Sequence, residues 1–292
     1  MSVHTFESMG TIVSVRLGRP LTISTSGFAA SDVSADGVSA EGSALTASRE
    51  AAAVAAVAAA QHAFDALNER FSLYRESSEI SQIARGELLL SASSERMREA
   101  YAESLLWREA TNGAFTPHRP DGVLDLSGTI KAVAIAETAA AIQACGFESF
   151  SINAGGDILT HGIPDDSLSA DESGAAGTGR AHGWVTGIVD PQNRDELLSV
   201  ITLTPELGAM ATSGSAERGD HIWARPGATN EFLQATVIAA DIVTADVCAT
   251  AIIAGGQETL DHLTEQFEIA VLVVTATGEL LANPRFPALV AR

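Results

Sequence analysis

An aspartate and a threonine lie four residues apart in TADVCATAIIAGG, residues 244–256. If this stretch is helical, Asp246 and Thr250 share one face of the helix, where their oxygen atoms could bind a metal ion together. The simpler interpretation makes Asp246 the N-cap of the helix and lets Gly255 and Gly256 end it. From these residues alone, capping is the favoured interpretation.

Residues 124–146, LDLSGTIKAVAIAETAAAIQACG, have the pattern of a strand, a turn and a helix. Leu124 and Leu126 indicate a short strand that runs into a Ser-Gly turn. A helix is predicted over about 130–144, and Gly146 is placed to end it.

Lys131 falls in the first turn of that predicted helix, where its charge opposes the helix dipole. Together with the backbone N–H groups of that turn, an ammonium group would form a cradle for an anion such as phosphate. A solvated surface lysine is the alternative interpretation. Asp125, six positions earlier, is equally well explained as an ordinary turn residue.

Two further stretches combine glycine with polar side chains. In NAGGDILTHG, residues 153–162, Gly155 and Gly156 permit a positive φ or close approach to a ligand after a strand. The stretch 210–227, MATSGSAERGDHIWARPG, is predicted to be a loop. It contains His221, and an imidazole suits a general base or a phosphate ligand, although a plain surface histidine fits equally well. No GxSxG, HExxH, Walker or GxGxxG motif occurs, which disfavours those enzyme classes.

Composition limits the classes of partner. The 292 residues are 46% hydrophobic, enough for a buried core, and the formal net charge is -20. That charge disfavours nucleic acid and anionic membrane surfaces, and it means that a phosphate-bearing ligand would need a cation in its site. Cys145 and Cys248 are predicted to be small core residues. No apolar stretch is long enough to span a bilayer, so we expect no membrane insertion and a cytoplasmic location.

The elements that must position these residues indicate an α+β fold. Five β-rich segments, FSINA, WVTGIV, LLSVITL, FLQATVIAA and IAVLVVTA, are predicted strands, and without a strict βαβ rhythm we expect mixed or antiparallel sheets flanked by helices. Two aperiodic stretches, 18–43 and 164–179, are predicted surface loops inserted into one domain spanning 1–292. A long helix is predicted over 47–73. Its apolar stripe comprises Val54, Val57, Phe64, Leu67 and Phe71.

Several segments, taken in order, resemble one family. They are ESMGTIVSVRL, FSLYRESSEIS, GAFTP, the 124–146 stretch, SINAGGDI, WVTGIVDP, MATSGSAERGDHI and ADVCATAIIAGG. In order and spacing the chain is similar to the FAD:protein FMN transferases, the ApbE family of flavin transferases. Apart from the two inserted loops, the resemblance covers nearly the whole chain.

The resemblance implies a magnesium-dependent enzyme with FAD as its substrate. Such an enzyme cleaves FAD, attaches FMN through a phosphoester bond to a threonine of a target flavoprotein, and releases AMP. It also implies a single T-fold-like unit with the flavin in a cleft between its sheets.

The site residues implied by the resemblance fall into three groups. The flavin would be lined by Met9, Tyr74, Ala114, Phe115 and Thr116. Further FAD contacts would come from Asp125, Lys131 and His221, and His221 is the candidate general base for the acceptor hydroxyl. The catalytic magnesium would be held by the Gly128 carbonyl, Asp246 and Thr250.

Three departures from the family pattern bear on activity. The usual Lys-Gly is Lys131-Ala132, the usual Phe-Asp is Phe115-Thr116, and WARPG stands where an Asp-Pro is expected after His221. The Thr116 change removes a carboxylate that could contact the flavin, so altered affinity is plausible. A carrier that binds FAD without transferring it, and a pyrophosphatase that yields FMN and AMP, are the alternative functions.

The sequence yields one prediction about proton transfer. His221→Ala should slow FMN transfer by about a hundredfold or more, the usual cost of losing a general base, with a much smaller effect on FAD affinity. Single-turnover rates and FAD titrations measure the two quantities separately. A parallel fall in rate and affinity would make His221 a ligand contact, and an unchanged rate would place the base elsewhere.

Overall fold

The structure is a computed structural model that describes residues 1–18, 37–164, 183–214 and 231–291, with side chains from residue 47 in the long first helix. The helices of the described residues are α1 (Gly37–Phe71), α2 (Glu79–Ala84), α3 (Glu95–Ala110), α4 (Ser127–Ala144) and α5 (Ile242–Gln266). The strands are β1 (Ser2–Ser8), β2 (Thr11–Leu17), β3 (Phe150–Ala154), β4 (Asp157–His161), β5 (Trp184–Val189), β6 (Leu197–Leu203), β7 (Ala209–Gly214), β8 (Phe232–Ala239), β9 (Ala270–Thr275) and β10 (Leu280–Ala282). Short 3-10 helices occupy Leu90–Ala92 and Phe286–Leu289.

Eight strands form one sheet in the order β1-β2-β3-β4-β7-β8-β9-β10, and every pairing in it is antiparallel. The strands β5 and β6 form a separate antiparallel hairpin. The predicted α+β class with antiparallel sheets is therefore confirmed, and all five predicted strands are present.

The middle of the large sheet is buried on both faces. Along β7, Ala209 and Ala211 belong to the core shared with the helices, whereas Met210 between them packs with the β5–β6 hairpin. The same alternation occurs in β8 and β9, as expected when successive side chains point to opposite faces. Helices α1, α4 and α5 therefore cover one face of the sheet, and the hairpin covers the other.

Helix α1 begins at Gly37, so the predicted start near residue 47 was too late and the predicted loop 18–43 was too long. The buried stripe was also partly wrong, because Val54 is 66% exposed. Helical periodicity explains the error: the stripe passes through Ala56 and Ala60, four residues apart, before it reaches Phe64. Of the predicted loop 164–179, residues 165–179 lie outside the described residues.

Helix α4 begins at Ser127, three residues before its predicted start. A carboxylate oxygen of Asp125 accepts a hydrogen bond from the Ser127 amide at 2.8 Å, which supports the earlier start. Lys131 is consequently the fifth helical residue, so its predicted place in the first turn was wrong. The predicted strand before the helix is only an isolated bridge between His118 and Leu124.

Helix α5 corrects the interpretation of TADVCATAIIAGG. Its N-cap is Asp241, whose side chain accepts a hydrogen bond from the Thr244 amide at 2.8 Å, whereas Asp246 is a fully buried residue inside the helix. Regular helical backbone stops at Gly256, which has φ 66° and ψ -152°, and a second helical segment follows it to Gln266. The amide of Gln257, the first residue after this break, donates a hydrogen bond to a Glu231 carboxylate at 2.7 Å. Capping by Asp246 was therefore wrong, whereas the predicted end of regular helix at the two glycines agrees with the structure.

Both cysteines are free thiols, and the prediction of core residues holds best for Cys248. Burial, with a smaller contribution from the charge of Asp241, raises the pKa of the Cys248 thiol to about 12. Cys145 is only half-buried. Within the described residues, no helix has the length and apolar character needed to cross a bilayer.

Candidate functional site

A cavity of about 1100 Å³ lies at one end of the large sheet. The β1–β2 and β3–β4 turns meet there, beside the last residues of β7, the end of α1 and the start of α4. Nine of the eleven predicted site residues line this cavity: Met9, Tyr74, Ala114, Phe115, Thr116, Asp125, Gly128, Lys131 and Thr250. The fold thus brings together residues from five separate stretches of sequence.

Two predicted residues are not part of the cavity wall as described. Asp246 is fully buried and lies one helical turn before Thr250. His221 lies in 215–230, outside the described residues, so its role stays a prediction. The part of the predicted 210–227 loop that is described is not a loop, because Ala209–Gly214 is the strand β7.

The β1–β2 turn brings Met9 to the cavity through an unusual backbone conformation. Met9 has φ 49° and Gly10 has φ 71°, and two successive positive φ values characterise the tight turns that join antiparallel strands. Met9 is half-buried against the core, whereas Tyr74 is 85% exposed at the rim. The predicted diglycine turn is confirmed, since Gly155 and Gly156 have φ 62° and 98°.

The GAFTP segment is fixed by the end of α3. The hydroxyl of Thr111, the C-cap of that helix, accepts a hydrogen bond from the Phe115 amide at 3.0 Å. The Phe115 ring then lies so close to Gly128 that a Cβ there would be 2.8 Å from the ring. Gly128 is therefore required for close packing of α4 on this segment, and its carbonyl belongs to the first helical turn.

The three predicted metal ligands are all oxygen donors. Gly128 and Thr250 face one cavity from different helices, and the Thr250 hydroxyl is hydrogen bonded to the Ser213 hydroxyl at 3.1 Å. Asp246 lies one turn away on the same helix as Thr250. Within the described ranges, no cluster of three or more His, Cys, Asp or Glu residues could hold a metal. A site with one carboxylate suits a hydrated magnesium ion shared with phosphate oxygens.

Lys131 is the only lysine of the chain, against 16 arginines, and its side chain is only 16% exposed. The alternative of a solvated surface lysine was therefore wrong. Its ammonium forms an ion pair with Asp157, a residue that sequence reasoning did not identify. The uniqueness of this lysine is a signal in the sequence that would have strengthened its candidacy.

Three arginines of the candidate site were also not identified from the sequence. Arg75, Arg119 and Arg194 line the cavity together with Lys131, and the carboxylate that the described wall contributes is that of Asp125. Arg194 lies in the β5–β6 turn. A hydrogen bond of 3.0 Å from the Asp190 amide to the Glu196 carbonyl closes this turn. Three of these cations have acidic partners outside the lining, Glu69 for Arg75, Asp121 for Arg119 and Asp157 for Lys131. The described part of the cavity wall itself presents four cationic groups and one carboxylate, which favours an anionic ligand.

Part of the sequence matches a known family, and the fold is similar to solved structures. The model of the ApbE family matches residues 116–273, which is 158 of the 292 residues. The flavin transferase ApbE from Vibrio cholerae superposes with a TM-score of 0.66 at 19% identity over 99% of this chain and 98% of that chain. The ApbE protein from Thermotoga maritima superposes with a TM-score of 0.65 at 17% sequence identity, over 100% of this chain and 99% of that chain. The flavinyl transferase ApbE from Pseudomonas stutzeri superposes with a TM-score of 0.66 at 16% identity, over 99% of this chain and 98% of that chain.

At such low identities the structural matches establish the fold alone. Proteins with curated functions give no significant match to the sequence. The family match is independent of those superpositions and covers more than half of the chain, including α4, β7 and α5. The chain belongs to the ApbE family.

Proposed function

We propose that this protein is a flavin transferase that cleaves FAD, attaches FMN to a threonine of a target flavoprotein and releases AMP. The observation that carries the proposal is the single cavity in which nine predicted site residues meet four cationic side chains. Membership of the ApbE family supports it, as do the structural neighbours from Vibrio cholerae and Pseudomonas stutzeri, which are described as flavin transferases.

The cavity has the size and the two chemical surfaces that FAD needs. Its volume of about 1100 Å³ slightly exceeds the range of about 300–1,000 Å³ typical of small-molecule sites, as expected for a ligand as large as a dinucleotide. Met9, Phe115 and Tyr74 offer sulfur and aromatic surface to a flavin ring. Lys131 and the arginines offer positive charge to the pyrophosphate and so offset the acidic character of the rest of the protein.

The residues present also fit a magnesium ion. The carboxylate of Asp246, the hydroxyl of Thr250 and the carbonyl of Gly128 are the hard oxygen donors that Mg²⁺ prefers, and they leave room for water and phosphate ligands. When bound, the ion would stabilise the negative charge that develops as the pyrophosphate breaks. This role explains why a carboxylate lies fully buried inside α5 instead of capping it.

The proposed reaction is a phosphoryl transfer. The acceptor hydroxyl oxygen bonds to the phosphorus of the FMN half, the bond from that phosphorus to the bridging oxygen breaks, and AMP leaves with the bridging oxygen. His221 takes the proton of the acceptor hydroxyl. Lys131 and the arginines stabilise charge on the phosphate oxygens, because preorganised cations contribute most in a site that is shielded from water.

The experiment that tests this function is incubation with FAD, Mg²⁺ and a candidate acceptor that contains a threonine. Intact-mass measurement of the acceptor, combined with an AMP assay, separates the three functions that the sequence suggested. We expect the acceptor to gain the mass of one FMN less one water, with AMP released in equal amount. AMP with free FMN would instead indicate a pyrophosphatase, and bound unaltered FAD would indicate a carrier.

Lys131→Met should weaken FAD binding by at least about thirtyfold, because breaking a buried charge pair costs about 2 kcal/mol or more. Flavin fluorescence titration measures the affinity. Arg96→Met is a matched control, since it removes an ion pair with Glu137 on the outer side of α4 and should leave FAD affinity unchanged. Equal affinity of Lys131→Met and the parent protein would remove Lys131 from the phosphate site.

Asp246→Asn should abolish magnesium-dependent AMP release with little change in melting temperature, since the side chain keeps its shape. Asp241→Ala is the matched control on the same helix. Loss of its N-cap should lower stability by about 1 kcal/mol while turnover is retained. Calorimetric titration of Mg²⁺ into FAD-loaded protein completes the comparison, and undiminished metal binding by Asp246→Asn would contradict the assignment.

A further inference from the structure

Asp157 is the partner of the only lysine in the cavity, yet it does not itself line the cavity. It is the first residue of β4, directly after the turn formed by Gly155 and Gly156. Its side chain is 1% exposed, whereas Lys131 keeps 16% exposure toward the cavity. The carboxylate therefore lies behind the ammonium as seen from the ligand site.

The carboxylate is anchored on its other side by the backbone of β7. Its Oδ1 accepts a hydrogen bond from the Thr212 amide at 3.2 Å. The ladder between β4 and β7 is short, pairing Ile158 with Met210 and Leu159 with Ala209, so Thr212 lies beyond its end. The side chain of Asp157 thus accepts a hydrogen bond from an amide that lies outside the β4–β7 ladder. This contact fixes the position of the carboxylate relative to the cavity wall.

We propose that Asp157 is a positioning residue that holds the ammonium of Lys131 at a set point in the cavity wall before FAD arrives. The proposal rests on the flavin-transferase function proposed above. A lysine has a flexible four-carbon stem and three N–H donors, so one donor directed at Asp157 leaves two for phosphate oxygens. Fixing the stem in advance lowers the entropy cost of reaching the geometry needed for reaction.

Charge explains why an anion can serve this purpose. A buried carboxylate needs a compensating cation, and Lys131 supplies it. The ion pair also reduces the repulsion between the lysine and the arginines that share the cavity. Asp157→Asn keeps the acceptor for the Thr212 amide but removes the charge that restrains the ammonium, so this variant separates the two contacts.

A double-mutant cycle tests the proposal. It compares the parent protein, Asp157→Asn, Lys131→Met and the double variant, and the rate of AMP release is measured for each at saturating and at limiting FAD. In the parent background we expect Asp157→Asn to lower kcat by about ten- to hundredfold, the usual cost of a small misplacement. In the Lys131→Met background, adding Asp157→Asn should lower kcat by less than about twofold, because the effects of substituting two residues that act together do not add. Equal losses in both backgrounds would show a merely structural role, and full activity of Asp157→Asn would also overturn the proposal.

Two controls keep the outcome interpretable. Glu137→Gln removes an ion pair from the outer side of the same helix and should leave kcat unchanged. If Lys131→Met unfolds because the buried Asp157 carboxylate loses its cation, the relaxation measurement below, which does not use that variant, decides the proposal. Melting curves of all five proteins identify any loss that comes from stability.

A second measurement does not depend on activity. Metabolic incorporation of ¹³C-lysine labels one residue, Lys131, and keeps all three of its N–H donors. In ligand-free parent protein we expect the ε-methylene group to relax as an ordered group, and in Asp157→Asn as a mobile one. Equal mobility would overturn positioning by Asp157, whereas the expected difference together with no AMP release would place the error in the proposed function.

Discussion

A cation held against a buried carboxylate joins the helix layer to the sheet at the place where the proposed chemistry occurs. Lys131 belongs to α4 and Asp157 is the first residue of β4. The Asp157 carboxylate also accepts a hydrogen bond from the amide of Thr212, which belongs to β7. Because β7 also places Ser213 against the Thr250 hydroxyl of α5, displacement of any one of these elements would alter both the charge and the candidate metal ligands. The cavity is consequently a product of how three layers meet and not of any single motif.

The surrounding fold packs closely around the sheet that carries this junction. The middle of the large sheet is buried on both faces, under helices on one side and the β5–β6 hairpin on the other. The hairpin also delivers Arg194 to the cavity through its turn. Four of the few cationic side chains of a strongly acidic chain thereby line one cavity, which favours binding of a polyanion.

Local sequence patterns predicted much of this arrangement. Strands with β-branched residues, the diglycine turn at Gly155 and the end of α4 at Gly146 depend on neighbouring residues, and these predictions agree with the structure. Nine of the eleven residues that resemble the family's site line one cavity, and their roles there stay predictions.

The remaining features depend on contacts between distant segments. The pairing of Lys131 with Asp157 requires the packing of α4 against β4, and no local pattern encodes it. The segment of α5 after Gly256 begins with the Gln257 amide donating a hydrogen bond to Glu231, which lies outside the helix. Local glycine signals predicted the break at Gly256, but they carry no information about the partner from which a second helical segment starts.

The central claim is that Lys131 faces the diphosphate of the substrate. Its most direct test is the ε-¹³C resonance of metabolically labelled Lys131 during titration with magnesium ADP, with adenosine as the uncharged control. We expect a saturable shift of the lysine resonance with magnesium ADP and none with adenosine. A lysine resonance that stays in place at saturating magnesium ADP would contradict it.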